Sequence, residues 1–177
     1  MVLNETKTKV MLFGGRGGEV VNVMINGQPI QQVTSQKYIG IILDAQLDFS
    51  LQAEYAAGKA KTASAKVSTL YEYDGRKGIP VQTGIALYKT LVCPHMEYAI
   101  PVWATMSSGD LCKVEKVQVQ CLRQIIGAKA HSSTAATEVI TEIVPVRIRE
   151  LCCREFLLIM VKGARFSKDL RKNLGRS

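Results

Sequence analysis

Three features of the sequence predict an α+β fold, with a small antiparallel N-terminal sheet of hairpins followed by a mainly α-helical bundle. Residues 9–44 are rich in β-branched and aromatic side chains and are punctuated by glycines and by the turn pair Asn26-Gly27. From residue 50 onward the apolar side chains recur every three or four positions, which is the period of a helix. With 177 residues, 47% of them hydrophobic, the chain can bury a sizeable core as one domain or two small subdomains, and global disorder is excluded.

Residues 9–13 read as a short apolar strand that runs into Gly14-Gly15-Arg16-Gly17-Gly18. That loop lacks the Gly-Lys-Ser/Thr that would set a lysine and a magnesium ligand against a nucleotide, so it reads as a flexible connector. Residues 20–25 and 28–33 are extended runs around Asn26-Gly27, whose two residues tolerate positive φ and so predict a tight hairpin. Pro29 has no amide hydrogen, which puts its strand at an edge. The next run, Ser35-Gln36-Lys37-Tyr38-Ile39-Gly40-Ile41-Ile42-Leu43-Asp44, reads as one strand buried on both faces. Gly40 inside it marks a bulge or a close approach of another backbone or a ligand. A sheet of three or four strands is expected from these pieces.

Asp48 or Ser50 can cap a helix that continues to about Tyr73, with Ala56, Ala60, Ala63, Val67 and Leu70 as its buried seam. Lys59, Thr62, Lys66 and Thr69 fall on one stripe beside that seam, a spacing that lets ammonium and hydroxyl donors follow phosphates. Gly75, Gly78 and Pro80 break the chain. A second helix carries Val81, Ile85, Tyr88 and Val92 and is expected to end before Pro94. The apolar stretch from Pro94 to Trp103 holds His95 and Glu97, but no third group supports acid–base chemistry there. A third helix starts at Ser107 or Ser108, buries Leu111, Val114, Val117, Cys121 and Ile125, and stops at Gly127. Residues 134–143 form a short helix. Pro145 opens a last one, expected to bury Ile148, Leu151, Cys152, Phe156 and Ile159, with Arg147, Arg149, Arg154 and Lys162 on its other faces and a basic tail from 165.

The chain has 23 lysines and arginines against 15 acidic residues, a formal charge of +8 that suits a polyanionic partner. The excess is concentrated: residues 58–90 hold six basic against two acidic side chains, and residues 146–177 hold nine against three. Five cysteines without paired Cys-x-x-Cys spacing indicate neither a disulfide framework nor a zinc site, and Cys93 with His95 is too little for a metal. No apolar run approaches the length of a membrane span and the N-terminus has no secretory pattern, so an intracellular protein (cytoplasm or nucleus) is expected.

Several segments, read in order, resemble one family. They are Leu3-Asn4-Glu5-Thr6-Lys7-Thr8-Lys9-Val10-Met11-Leu12-Phe13, the 35–44 run, Leu87-Tyr88-Lys89, Pro94-His95-Met96-Glu97-Tyr98-Ala99, Val102-Trp103, and the stretch from Val117 to Ala128. They are similar to the reverse transcriptase of non-LTR (LINE-type) retrotransposons, from the end of the palm through the thumb and beyond, over roughly residues 3–160. Ile39 stands where the family's primer-grip segment has leucine, and Met96 and Ala99 stand where leucine and glycine are usual. The resemblance implies a division into palm end and primer-grip hairpins (1–50), a thumb-like helical subdomain (51–106), post-thumb helices (107–164) and a basic tail (165–177). It implies nucleic-acid-binding roles for Lys37, Tyr38, Gly40, Lys59, Thr62 and Lys66.

The resemblance implies an RNA-directed DNA polymerase whose partners are an RNA template, a DNA primer and the palm and fingers. Its magnesium ions would be held by palm aspartates that lie before Met1. No catalytic residue, metal ligand or cofactor is assigned within this chain, and no activity is expected from it alone. The alternatives are a non-enzymatic nucleic-acid-binding or interaction protein derived from such an element, and a degenerate remnant.

Overall fold

A computed structural model describes residues 8–14, 20–71, 78–103 and 105–174, with side chains up to residue 162. The glycine loop beyond Gly14 and the side chains of the basic tail lie outside the described residues. The architecture is α+β: β1 (Met24–Ile25), β2 (Gln28–Pro29), β3 (Ser35–Tyr38) and β4 (Ile41–Asp44) precede α1 (Ser50–Ser68), α2 (Val81–Leu87), a π turn (Tyr88–Val92), α3 (Cys93–Glu97), α4 (Ile100–Trp103), α5 (Ser108–Ile125), α6 (Thr134–Thr141) and α7 (Val146–Leu174).

The strands form two separate two-stranded antiparallel ribbons in place of the expected three- or four-stranded sheet. In the first, Asn26 (φ 52°) and Gly27 (φ 80°) make the expected tight turn, and Pro29 lies on an exposed strand. The run 9–13 contributes only a parallel bridge, Val10 to Gln32. The larger correction concerns residues 35–44, which do not form one buried strand. Ile39 (φ 46°) and Gly40 (φ 81°) fold the run back on itself, pairing Ser35 with Asp44 and Tyr38 with Ile41. Positive φ at both central residues gives the turn a twist that suits a two-residue hairpin, and Gly40 supplies its half without steric cost. Ile41 and Asp44 are buried, whereas Tyr38 and Ile39 project at the tip.

Asp44 joins the second ribbon to the helices. Its Oδ1 accepts from the amides of Gln46 and Asp48, both at 3.1 Å, and its Oδ2 accepts from that of Phe49 at 2.9 Å. The residue before α1 is Phe49 at φ 59°, so neither Asp48 nor Ser50 is the N-cap, although the Ser50 amide donates to Asp48 Oδ1. Helix α1 stops at Ser68 rather than near Tyr73, and Leu70 is exposed. Its buried face is Gln52, Ala53, Ala56, Ala60, Ser64 and Val67, small enough to lie close against α5. Gln52 Oε1 accepts from the Ile42 amide (2.9 Å), docking the ribbon on the helix.

The second helix does not end before Pro94. A π turn intervenes, with the Cys93 amide reaching back five residues to the Tyr88 carbonyl, and the helix passes through Pro94 as α3. The wider turn shifts the hydrogen-bond register just where proline has no amide hydrogen to offer. Helix α5 starts and stops as expected, with Ser107 Oγ capping the Asp110 amide (3.1 Å) and Gly127 at φ 65° terminating it; Leu111, Val114, Cys121 and Ile125 are buried, but Val117 is only half-buried and Gln118, Val119 and Leu122 are buried as well. Trp103, Tyr88, Met96, Leu122, Val67, Val92 and Val114 form the centre of the core.

Helix α7 turns the opposite way from expectation. Ile148, Leu151, Cys152, Phe156 and Ile159 are exposed, while Val146 and Glu150 are buried and Cys153 packs against the core. Polar anchors set this phase: Gln118, itself buried, accepts from the Val146 amide (3.0 Å) and donates to the Val144 carbonyl (3.1 Å), and Arg149 pairs with Glu97.

Candidate nucleic-acid interface

The second ribbon and the outer face of α1 meet at one place, and the residues expected to bind nucleic acid distribute around it. Lys37 points from β3 toward α1, where its Nζ donates to Tyr55 Oη at 2.6 Å and lies 4.4 Å from the centroid of that ring. Lys59, one turn after Tyr55, places its ammonium 5.7 Å from the same centroid. Each ammonium gains from the negative face of the ring while keeping donors free for solvent or an anion. Hydrogen bonding from Lys37 holds the Tyr55 phenol below the ordinary tyrosine range; burial opposes it, and the positive charges of Lys37 and Lys59 each add a smaller effect in the lowering direction.

Tyr38 lies on the strand face opposite Lys37, because successive side chains of a strand alternate. Tyr38 is 63% exposed and Ile39 70% exposed, so the tip of the hairpin is an apolar projection. Ile39 is β-branched at positive φ, which costs roughly 1–2 kcal/mol that an asparagine or glycine would avoid. The turn is braced from behind: Tyr98 Oη donates to the Ile39 carbonyl at 2.9 Å, and a Cβ on Gly40 would come within 3.1 Å of Tyr98 Cε1. The Tyr98 ring is aimed there because Ala99 takes a positive φ (56°) and buried Trp103 donates from Nε1 to the Tyr98 carbonyl (2.8 Å). Glycine at 40 therefore suits both the positive φ of the turn and the closeness of the tyrosine, which a side chain there would crowd.

Lys59, Thr62 and Lys66 lie exposed along α1. Thr62 Oγ1 donates to the Gly58 carbonyl (3.0 Å), leaving its lone pairs outward. The charge blocks differ in what surrounds them. In α7, Arg147 pairs with Glu115 (2.8 Å), Arg149 with Glu97, and Arg154 approaches Glu150 (4.0 Å). Lys113 of α5 is shared between Glu54 and Asp110, both at 2.8 Å. Among the described residues, Lys37, Lys59, Lys61 and Lys66 have no carboxylate partner. The uncompensated charge near the hairpin thus comprises Lys37 with the Lys59–Lys66 stripe, and Lys61 on another face of α1, and the stripe suits phosphate contact without base reading.

Sequence reasoning missed Tyr55, Ile39 and Tyr98. Tyr55 and Lys59 stand at i and i+4, a detectable signal for an aromatic–lysine pair on one helix face. Nothing local announces Tyr98, which reaches Ile39 across 59 residues. Among the described residues, no group of three or more His, Cys, Asp or Glu side chains is placed to hold a metal. No helix among them is long and apolar enough to cross a membrane.

The chain is 28% identical over 136 residues to the RNA-directed DNA polymerase from mobile element jockey of Drosophila melanogaster. It is 27% identical over 136 residues to the jockey polymerase of Drosophila funebris, and 22% over 127 residues to the probable RNA-directed DNA polymerase from transposon X-element of D. melanogaster. These alignments cover 77%, 77% and 72% of this chain, but the chain spans only about 15% of the length of the curated relatives it matches. No protein-family model and no solved structure matches it. The similarity and the motifs agree on non-LTR, LINE-type reverse transcriptases as the proteins this region is like.

Proposed function

We propose that this chain is the primer-grip, thumb and post-thumb portion of a LINE-type reverse transcriptase and that it holds the duplex of RNA template and DNA primer. The observation that carries the reading is the junction of Lys37, Tyr55 and Lys59, flanked by a row of α1 lysines without carboxylate partners and by a strained, exposed turn. The lysines follow the phosphate backbone. Tyr38 and Ile39 press against the sugars and bases of the primer end, and that contact is what the cost of Ile39 at positive φ serves.

Nucleotidyl transfer belongs to the whole enzyme in this reading, with magnesium held elsewhere. The carboxylates near the hairpin do not fit a magnesium site, since both oxygens of Asp44 are engaged by backbone amides and Asp48 Oδ1 accepts from the Ser50 amide. The chain's own contribution is affinity and position.

The test is duplex binding as a function of salt. The 177-residue chain should bind an RNA–DNA duplex with Kd of roughly 10⁻⁴ to 10⁻⁶ M and lose affinity steeply as salt rises. Lys59→Ala with Lys66→Ala should weaken binding and reduce the salt slope by about two. Arg147→Ala, which removes a cation already paired with Glu115, should leave the slope unchanged. Affinity that ignores salt, or equal slopes for all three proteins, would overturn the reading.

A further inference from the structure

We infer that Lys37, Tyr55 and Lys59 together form a single site for one backbone phosphodiester, with Tyr55 as the positioning residue that binds the hairpin lysine to the helix lysine. The inference rests on the duplex-holding reading above and adds to it a residue that neither charge nor motif singled out.

Geometry carries the argument. Lys37 comes from β3 and Lys59 from α1, and the Gln52–Ile42 hydrogen bond docks β4, the partner strand of β3, on the same helix. A free lysine side chain loses about 2 kcal/mol of rotamer entropy when it is fixed. Tyr55 removes part of that cost for Lys37 in advance, because its Oη accepts one ammonium proton at 2.6 Å and its ring lies 4.4 Å from the same nitrogen. A neutral phenol that accepts through one lone pair keeps its O–H. With one lone pair occupied by Lys37, the O–H is free to donate outward to a phosphate oxygen, so a phosphate here meets an ammonium from each lysine and a hydroxyl between them. The hydrogen bond from Lys37, by withdrawing charge from the phenol oxygen, also makes its O–H a stronger donor. Neither lysine has a carboxylate partner among the described residues, so an arriving anion displaces no existing ion pair. A lone inorganic phosphate offers the same oxyanion chemistry; what marks the site as one for nucleic acid is the exposed lysine row that continues from it through Lys66.

The experiment is a double-mutant cycle on RNA–DNA duplex affinity with the full chain, read as Kd and as salt slope, with melting temperature recorded for each variant. Tyr55→Phe keeps the ring and removes both the acceptor and the donor. We expect it to weaken binding about five- to tenfold at low salt and to lower the salt slope toward that of Lys37→Ala, although no charge has been removed. Tyr55→Phe combined with Lys37→Ala should bind no more than about twofold more weakly than Lys37→Ala alone, the signature of one coupled unit. Tyr55→Phe with unaltered affinity, or losses that multiply in the double variant, would overturn this inference while duplex binding by the unaltered chain leaves the thumb reading standing. Absence of salt-dependent duplex binding by the unaltered chain would overturn both. Competition by inorganic phosphate beyond that of chloride at equal ionic strength would assign the site to free phosphate and overturn the nucleic-acid assignment.

Discussion

Asp44→Ala should be among the most damaging single changes in the N-terminal half. The side chain is buried and its two oxygens accept three backbone amides, those of Gln46, Asp48 and Phe49, at 2.9–3.1 Å. Hydrogen bonds to a charged group contribute about 1.5–3 kcal/mol each. Two of the three amides are only partly buried, so water recovers part of that loss and the expected cost is about 3–4 kcal/mol. For a chain of this length each kcal/mol moves Tm by about 2–4 °C, which gives a fall of roughly 6–16 °C. The comparison is Asp48→Ala, which removes one exposed bond to the Ser50 amide (2.9 Å) and should cost about 0.5–1 kcal/mol. Urea and thermal unfolding followed by circular dichroism on both variants measure the difference. Equal losses for Asp44→Ala and Asp48→Ala would refute the claim that the Asp44 carboxylate organises the passage from hairpin to helix.

Four further outcomes follow from the same geometry. Ile39→Asn gives the second hairpin the Asn-Gly turn that the first already has, so it should stabilise the fold by about 1 kcal/mol while weakening duplex binding; stabilisation with full binding would remove the functional role of Ile39. Gly84→Ala would drive a methyl onto the Tyr71 hydroxyl, with Tyr71 Cζ at 2.6 Å and Ile125 Cγ2 at 3.0 Å, at a cost of about 1–3 kcal/mol. Tyr71→Phe removes a buried hydroxyl that has no hydrogen-bond partner among the described residues, so by chemical denaturation it should be neutral or stabilising alone and should restore part of the Gly84→Ala loss. Phe156→Glu should change stability by less than about 0.5 kcal/mol, because this side chain is 61% exposed; a loss of about 3–5 kcal/mol would mean that α7 buries the face the sequence suggested.

The sequence was most legible where one local rule acted alone. The Asn26-Gly27 hairpin, the Ser107 cap, the buried positions Leu111, Val114, Cys121 and Ile125 of α5 and its Gly127 stop were readable, because turn chemistry, capping and helical period are properties of a few neighbouring residues. It was least legible in α7. From Ile148 to Val161 apolar side chains occur on nearly every face, so periodicity offers no phase, and the choice falls to Gln118 and Glu97 on other elements. Residues 35–44 misled for a related reason. An isoleucine at the first turn position argues for a continuous strand, whereas in the fold the β3–β4 pairing and the contact from Tyr98, 59 residues away, hold it at positive φ.

The candidate interface divides along the same line. The lysine stripe of α1 and the resemblance to LINE-type reverse transcriptases were determined by the sequence alone, since a charge pattern on a helix and a run of motifs need no partner to exist. The tertiary structure decided which positive charges remain available, pairing Arg147 and Arg149 with carboxylates from α5 and α3 while leaving Lys37, Lys59 and Lys66 without one among the described residues. It also decided that Tyr55 receives Lys37 from another element and that Tyr98 supports the turn. Ion pairs and aromatic contacts depend on distances of a few ångströms between segments far apart in the chain, and those distances are fixed only when the helices pack.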